Sequence, residues 1–414
     1  MGSPRLRPKL RDPITTMFQP LGSRPPGWTR WAVFAVVAIS LALLFTTEPG
    51  SSVDYRRIVL DEGYWVSTAQ LTCSGDGSGA IAETRVTGPG KVSIHPYEAN
   101  LGARAMVAAG PRYLPMVKRY IQWYLSHLNR PDQYGIYGTV YDYDYDPATC
   151  IGTYQPDPRT GKAPKYDSTD AYAGTFLSLV RHYAEANSAD SPFLHSKQTT
   201  TDLQLIANAI TATGRPNGLT CATPAYPAQY LLDNVEAQSG LQDYAWFLAH
   251  VLGDRAAATR RAGQAALIRH AIETQLWRAS RTPGMYGWAA DQLSPSWANW
   301  YPDTIAQLWP VWDLLGPSAR RSTTWRKFVS QWPTWVGSTP SFGSSGVGHD
   351  PNSQVAYAAA RVGDRAALDD YLSRSKANWI DAGRPAPWTV ADSGFRALAA
   401  LTGATLQSYR YWPS

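Results

Sequence analysis

The chain has 414 residues, 44% of them hydrophobic and only 17% charged, which excludes a disordered, solvating polymer and allows a sizeable packed core. Its formal charge of +6 is local: Arg5, Arg7, Lys9, Arg11, Arg24 and Arg30 against Asp12 put +5 in residues 1–30 and leave about +1 for the rest. Nucleic-acid binding needs basic residues on the folded body, so nucleic acid is excluded as a partner.

In chain order, residues 1–30 read as a basic cytoplasmic tail. The stretch that follows, "WAVFAVVAISLALLFTT" from Trp31 to Thr47, has no charged side chain. Its length is at the lower edge of what spans a bilayer, and no A-x-A-like cleavage site follows in "TTEPGSSVDY". An uncleaved signal anchor over 31–47 is therefore expected. The basic flank stays inside, so the protein is expected in the cell membrane, single-pass, with its C-terminal part outside the cytoplasm. Residues 48–93 include "GYWVSTAQLTCSGDGSGA", too rich in Gly and Ser for a helix; they read as a linker and a segment that packs on the main body.

From Ile94 the pattern becomes helical. In "PRYLPMVKRYIQWYLSHLN", Tyr113, Leu114, Val117, Tyr120, Ile121, Tyr124, Leu125 and Leu128 share one helical face. The same periodicity predicts helices near 96–110, 111–129, 168–187, 198–214, 228–252, 254–277, 301–315, 317–332, 351–362, 364–375 and 388–402. Strands are limited to short candidates in 64–93 and 136–145. "GDRAA" occurs at Gly253–Ala257 and again at Gly363–Ala367, each time ending one helix and opening the next, and "LGPSARR" at 315–321 does the same with a Gly stop and a Pro start. The fold class is all-α: a stack or ring of helical hairpins over 94–414, preceded by a small irregular N-terminal segment and the anchor. The long connections 130–166, 278–300 and 333–350 gather on one rim, where function is usually carried.

Several chemistries lose their support. There is no H-E-x-x-H, P-loop, G-x-G-x-x-G or G-x-S-x-G motif. Cys73, Cys150 and Cys221 match no zinc spacing and allow one internal disulfide, with Cys150–Cys221 the expected pair because both flank loops of the same rim. Asp142, Asp144 and Asp146 in "TVYDYDYDPAT" open like an EF-hand, but Pro147 and Thr153 stand where that loop needs Gly and Glu. That leaves an alternating extended segment, a looser cation site or a substrate-facing loop.

The aromatic balance is more informative. The chain has 17 Trp and 24 Tyr against 9 Phe, and rings with a polar tip suit wet clefts. Trp288, Trp297, Trp300 and Tyr301 fall in one long loop entering a helix, whereas Trp309 and Trp312, at helical spacing, read as core. Carboxylates stand near predicted helix starts: Glu98 in "IHPYEANLGARA", Asp167 and Asp170 in "YDSTDAYAGTFL", and Asp233 and Glu236 in "YLLDNVEAQSGLQDYAWF". Each has a plain structural reading as an N-cap, a dipole partner or half of an ion pair. Asp233, Glu236 and Gly240 share one helical face, and Gly240 there lets something approach closely. Paired carboxyls flanked by aromatic rings are what glycosidic bond cleavage requires, one as acid and one as base or nucleophile.

The segments "PYEANLGARA", "YDSTDAYAGTFLSL", "YLLDNVEAQSGLQDY", "AIETQLWRASRTPGMYGWA" and "WYPDTIAQLWPVW" resemble the six-hairpin glycosidase superfamily of bacteria, over residues 94–410 or so. The resemblance implies an (α/α)6 toroid with a carbohydrate cleft at its open end, usually served by inverting carboxylates. It carries catalytic or sugar-binding roles to Asp170 and Asp167, with Glu98 and Glu236 as candidate partners. Asp167 is expected to cap the helix and Asp170 to face the substrate. Tyr97, Tyr166, Asp233, Asn234, Trp297, Trp300, Tyr301 and Asp303 are the expected substrate contacts. The expected activity is hydrolysis of a cell-envelope or exported polysaccharide, with no cofactor and no metal needed. The alternatives are a non-catalytic glycan-binding or export accessory protein, and a lyase or epimerase on the same toroid.

Overall fold

In this computed structural model the described residues are 53–86, 88, 90–157, 161–162, 164–337 and 350–405. The expected basic tail and membrane anchor, residues 1–47, lie outside them. No helix among the described residues is long and apolar enough to cross a membrane. The helices are α1 (Tyr55–Ser67), α2 (Pro96–Ala109), α3 (Leu114–Ser126), α4 (Thr169–Ala186), α5 (Lys197–Ala212), α6 (Leu231–His250), α7 (Arg255–Ala271), α8 (Ala319–Gln331), α9 (Ser353–Val362), α10 (Arg365–Ser375) and α11 (Val390–Ala404). Between α7 and α8 lies an irregular helical segment, 300–314, that begins and ends in wide turns at Trp300–Thr304 and Pro310–Leu314.

Packing sorts these elements into two circles. α2, α4, α6, 300–314, α9 and α11 pack in that order, and α11 returns to α2, closing an inner ring. α3, α5, α7, α8 and α10 each follow an inner element in the chain and pack outside it. The sixth outer position is filled by α1, which packs on both α11 and α2. Within the segment expected to pack on the main body, part of the stretch expected to be non-helical is helix: Asp54 caps α1 through the Arg57 N–H, and Tyr55, Val59, Trp65 and Val66 of α1 are buried. The Gly- and Ser-rich composition belongs to the loop after the helix. Glu62 of α1 is buried and accepts hydrogen bonds from Arg396 of α11 at 2.6 Å and from Arg384 at 3.1 Å, so a compensated charge holds the N-terminal helix to the last one.

Local chemistry accounts for the turns. In both "GDRAA" repeats the glycine, Gly253 or Gly363, takes the left-handed conformation that ends a helix. The next residue, Asp254 or Asp364, then caps α7 or α10 by accepting a backbone N–H three residues on. In "LGPSARR" the cap is Ser318, so Pro317 lies just outside the helix rather than in its first turn.

A three-stranded antiparallel sheet stands at the mouth of the ring: β1 (Val92–Ile94), β2 (Tyr143–Tyr145) and β3 (Gly152–Tyr154), with Ile94 paired to Tyr143 and Tyr143 to Tyr154. The disulfide joins Cys73 to Cys150, tying the N-terminal loop to the β2–β3 turn. Cys221 is buried and free, so the expected Cys150–Cys221 pair is incorrect. Both Cys73 and Cys221 are far from Cys150 in sequence, and only docking of the N-terminal loop decides between them.

Two pairs of inner helices touch through glycine. A Cβ on Gly240 would fall 2.4 Å from the Gly174 Cα, and one on Gly174 would fall 2.4 Å from the Glu236 carbonyl oxygen. A Cβ on Gly394 of α11 would fall 2.3 Å from the Leu101 carbonyl oxygen of α2. The close approach anticipated at Gly240 is therefore the backbone of α4. Gly240→Ala is expected to lower unfolding free energy by about 2 kcal/mol or more despite its gain in helix propensity. Gly263→Ala, in α7 with open space around it, is expected to raise it by up to about 1 kcal/mol. Urea unfolding of the two variants checks both signs.

Candidate active site

The inner elements enter the ring with an acid in the first turn at Glu98 of α2, Asp170 of α4, Asp233 of α6, Asp303 of 300–314 and Asp392 of α11. A carboxylate there complements the partial positive charge of unpaired N–H groups. The starts of α2, α4, α6 and 300–314 line a cleft of about 740 Å³, walled also by the connections 130–166 and 278–300. Most of the third long connection, 338–349, lies outside the described residues.

Four carboxyl side chains line the cleft: Glu98, Asp142, Asp167 and Asp233. Asp142 reaches it because the sheet register sets it beside His95; it accepts a hydrogen bond from the Tyr172 hydroxyl at 2.9 Å and pairs with Lys165 at 3.4 Å. Aromatic rings cover the remaining walls. Tyr97 stacks on Tyr172 with centroids 6.1 Å apart, Tyr230 on Trp288 at 5.8 Å, and Tyr226 bonds the Tyr230 hydroxyl at 2.7 Å. Tyr301 stands 45% exposed at the opening, its extended backbone interrupting the helix start, and Trp309 lines the floor.

Of the residues singled out in the sequence, Glu98, Asp167, Asp233, Tyr97 and Tyr301 meet at this cleft. The expected division between Asp167 and Asp170 is reversed. Ser168 is the N-cap of α4, Asp167 precedes it exposed to the cleft, and Asp170 is fully buried behind it. Glu236 is also buried, one turn below Asp233. It accepts hydrogen bonds from Tyr97 at 2.7 Å and Trp309 at 2.8 Å, which orients two of the cleft's rings.

The other expected contacts serve the scaffold. Tyr166 is buried and donates to Asp132, and Asn234 clamps the 220 loop through the Thr220 N–H and carbonyl. Trp297 donates to the Pro283 carbonyl, Trp300 packs on Phe328 and Trp332, and Asp303 accepts from Asn299. His95, Lys165, Tyr172, Tyr226 and Tyr230 also line the cleft, although no sequence motif singles them out. Their usable signal is position, since each stands within the first turn of an inner helix or in the connection leading to it.

Electrostatics separate the acids. Burial raises the Asp233 carboxyl well above its ordinary value, and the neighbouring Asp170, Glu236 and Asp167 reinforce the shift. Burial raises Asp170 as well, opposed by the hydrogen bond from Ser168. It pushes Glu236 up to about 8 against the bonds from Trp309 and Tyr97, and Asp142 up to about 6 against the pull of His95 and Lys165.

Hydrogen bonding links two of these acids. The Ser168 hydroxyl accepts from the Ala171 N–H at 3.2 Å and lies 2.6 Å from Asp170 Oδ1 and 3.2 Å from Asp233 Oδ2. A hydroxyl has one hydrogen to give. Asp170 Oδ1 also accepts from the Ala171 N–H, so a single hydroxyl ties the two raised carboxyls, Asp170 and Asp233, to each other. The cleft thus offers two carboxyls that burial raises, Asp233 and Glu98, the latter pushed up to about 8, with an exposed carboxyl, Asp167, just before α4.

No family model matches the chain, and no curated protein does. Solved structures do match. A wild-type glycosidase aligns with a TM-score of 0.56 at 12% identity, covering 84% of this chain and 96% of that one. A glycosidase variant in complex with glucose aligns at 0.54 and 12%, covering 84% and 97%. At such identities the likeness is one of fold, and the chain shares the helical-ring fold of these glycosidases.

Glu236 permits a direct check of this electrostatic order. Its folded value of about 8 lies above its ordinary 4.5, so the native state holds the extra proton. The associated stability is complete below about 4.5 and is lost as pH rises through about 8. Glu236→Gln keeps an acceptor for Tyr97 and Trp309 and removes the titration. Its stability relative to wild type should therefore increase between about pH 5 and pH 8.5. Urea midpoints of both proteins across that range measure the difference, and a constant offset would contradict the assignment.

Proposed function

We propose that the protein is a glycoside hydrolase in which Asp233 is the general acid and Asp167 the general base. The observation that carries this reading is the pairing, in one aromatic cleft, of a carboxyl that burial and neighbouring acids raise well above its ordinary value, Asp233, with a carboxyl open to solvent, Asp167. Asp233 donates its proton to the glycosidic oxygen as the bond to the anomeric carbon breaks. Asp167 takes a proton from the water that attacks that carbon, and the two carboxyls exchange protons with solvent before the next turnover. A water between acid and base corresponds to inversion at the anomeric carbon. Asp170 and Glu236 act as positioning residues that keep the Asp233 proton in place, and Tyr230, Trp288 and Tyr301 offer flat faces for sugar rings.

The charge of the cleft narrows the substrate. Glu98, Asp142, Asp167 and Asp233 face only Lys165 and His95 among the described lining residues, with no arginine to grip a carboxylate. This favours a neutral or amine-bearing glycan over a uronate polymer. With the anchor expected over 31–47, the substrate is a cell-envelope or exported polysaccharide met outside the membrane.

Asp233→Asn is expected to lower kcat about 100- to 10,000-fold while glycan binding and the melting temperature are retained. Reducing-end release from neutral, amino-sugar and uronate oligosaccharides measures this and tests the substrate class, with the uronates expected to be the poorest. In wild type, kcat/KM should fall as pH rises through the elevated Asp233 value, because the acid form is the active one. Turnover unchanged in Asp233→Asn would remove that residue from the mechanism.

A further inference from the structure

We propose that Glu83, His95 and Glu98 bind a divalent cation of the Zn²⁺ or Mn²⁺ type at the wall of the cleft. One ligand atom from each of the three side chains lies within 4.8 Å of the others. Three separate elements hold them there. Glu83 is fixed by its backbone, whose N–H donates to the Ser93 carbonyl of β1 and whose carbonyl accepts from the Val390 N–H of α11, each at 2.9 Å. His95 follows β1 directly, and Glu98 stands in the first turn of α2.

The hydrogen bonds around His95 determine which nitrogen is available. The Gln155 amide nitrogen donates to the Tyr143 carbonyl at 3.0 Å and to Asp144 Oδ1 at 2.9 Å, so the amide oxygen must face His95. That oxygen lies 3.1 Å from His95 Nε2, which is therefore the N–H that donates. In the neutral ring Nδ1 then carries a lone pair, and it points at the Glu83 carboxylate 3.6 Å away. A lone pair facing a carboxylate needs a cation between them, either a proton, which makes an ordinary ion pair, or a metal ion.

A second observation points the same way. Glu98 Oε2 is shielded from solvent and has no hydrogen-bond partner, so a proton or a metal ion must compensate it there. Ligands about 2.1 Å from a tetrahedral ion are about 3.4 Å from one another, so the His95–Glu83 pair at 3.6 Å is already at ligand spacing and Glu98 closes in by a side-chain rotation. One imidazole nitrogen with two carboxylates suits Zn²⁺ or Mn²⁺ better than Ca²⁺, which takes more oxygen ligands. Gln155 has the outer-sphere role of fixing the tautomer and orientation of a ligating histidine. His95 and Glu98 both line the cleft, so the ion's remaining positions open onto it. On the hydrolase reading, a hydroxyl pair of the bound sugar takes those positions, whereas cation binding itself does not depend on that reading.

The test is isothermal titration of the chelator-treated protein with ZnCl₂ and with MnCl₂, without substrate, alongside thermal melting. One equivalent of at least one ion should bind and raise the melting temperature. His95→Ala and Glu98→Gln should each weaken binding at least about tenfold, and Gln155→Ala about 10- to 100-fold although no ligand is removed. Glu83→Gln, at a partly exposed side chain, replaces Glu98→Gln if the latter does not fold. Absence of saturable binding at millimolar metal, meaning that only a proton occupies the position, would overturn the proposal, as would wild-type affinity in the ligand variants. Asp233→Asn should bind the ion as wild type does, so failure of the hydrolase reading and failure of the cation site are read separately.

Discussion

At Gly174 and Gly240 the backbones of α4 and α6 touch, and the arrangement of the site follows from that contact. Helices separated by ordinary side chains lie about 8–10 Å apart, but glycine on both faces removes the spacer. Within two turns of this contact the helix starts come into hydrogen-bonding reach, so one serine hydroxyl, Ser168, bridges Asp170 of α4 and Asp233 of α6. Carboxyls crowded and buried in this way cannot all be ionised. The packing thereby raises the Asp233 and Asp170 carboxyls above their ordinary values through burial.

The ring architecture extends this effect around the mouth. Acids in first turns are ordinary partners of a helix dipole, and one such residue says little about function. Five inner elements begin with an acid in the first turn, and two of those acids, Glu98 and Asp233, open on the cleft beside Asp142 and Asp167. Capping and chemistry are then consequences of the same placement. Asp392 illustrates the overlap: it completes a capping box with Thr389 and also adds to the field that acts on Glu98.

The long connections determine which side chains complete the cleft. "SPSWANWYP" shows why aromatic content alone could not identify the sugar-facing rings. Trp297 and Trp300 turn into the core, whereas the extended backbone of Tyr301 turns its ring outward. Similarly, "YDYDYD" is an alternating strand as its spacing suggests, but only pairing of β1 with β2 sets Asp142 beside His95 and makes it part of the wall. The sheet row His95, Asp142 and Gln155 joins two strands and a helix start that lie up to 60 residues apart in the chain.

Periodicity within a helix, and caps within one turn of its start, depend on residues close together in sequence. For that reason the amino-acid sequence by itself determined the eleven helical stretches from residue 96 onward and the turns at the two GDRAA repeats that end one helix and open the next. The tertiary structure alone decided that α1 completes the ring, that Cys150 pairs with Cys73, and that Asp167 rather than Asp170 opens on the cleft. It also buried Tyr166, Asn234, Trp297, Trp300 and Asp303 away from the cleft lining. Each of these outcomes depends on how one element rotates and seats against another tens to hundreds of residues away. A rotation of one residue, about 100° on a helix, exchanges a buried carboxyl for an exposed one without altering the local pattern.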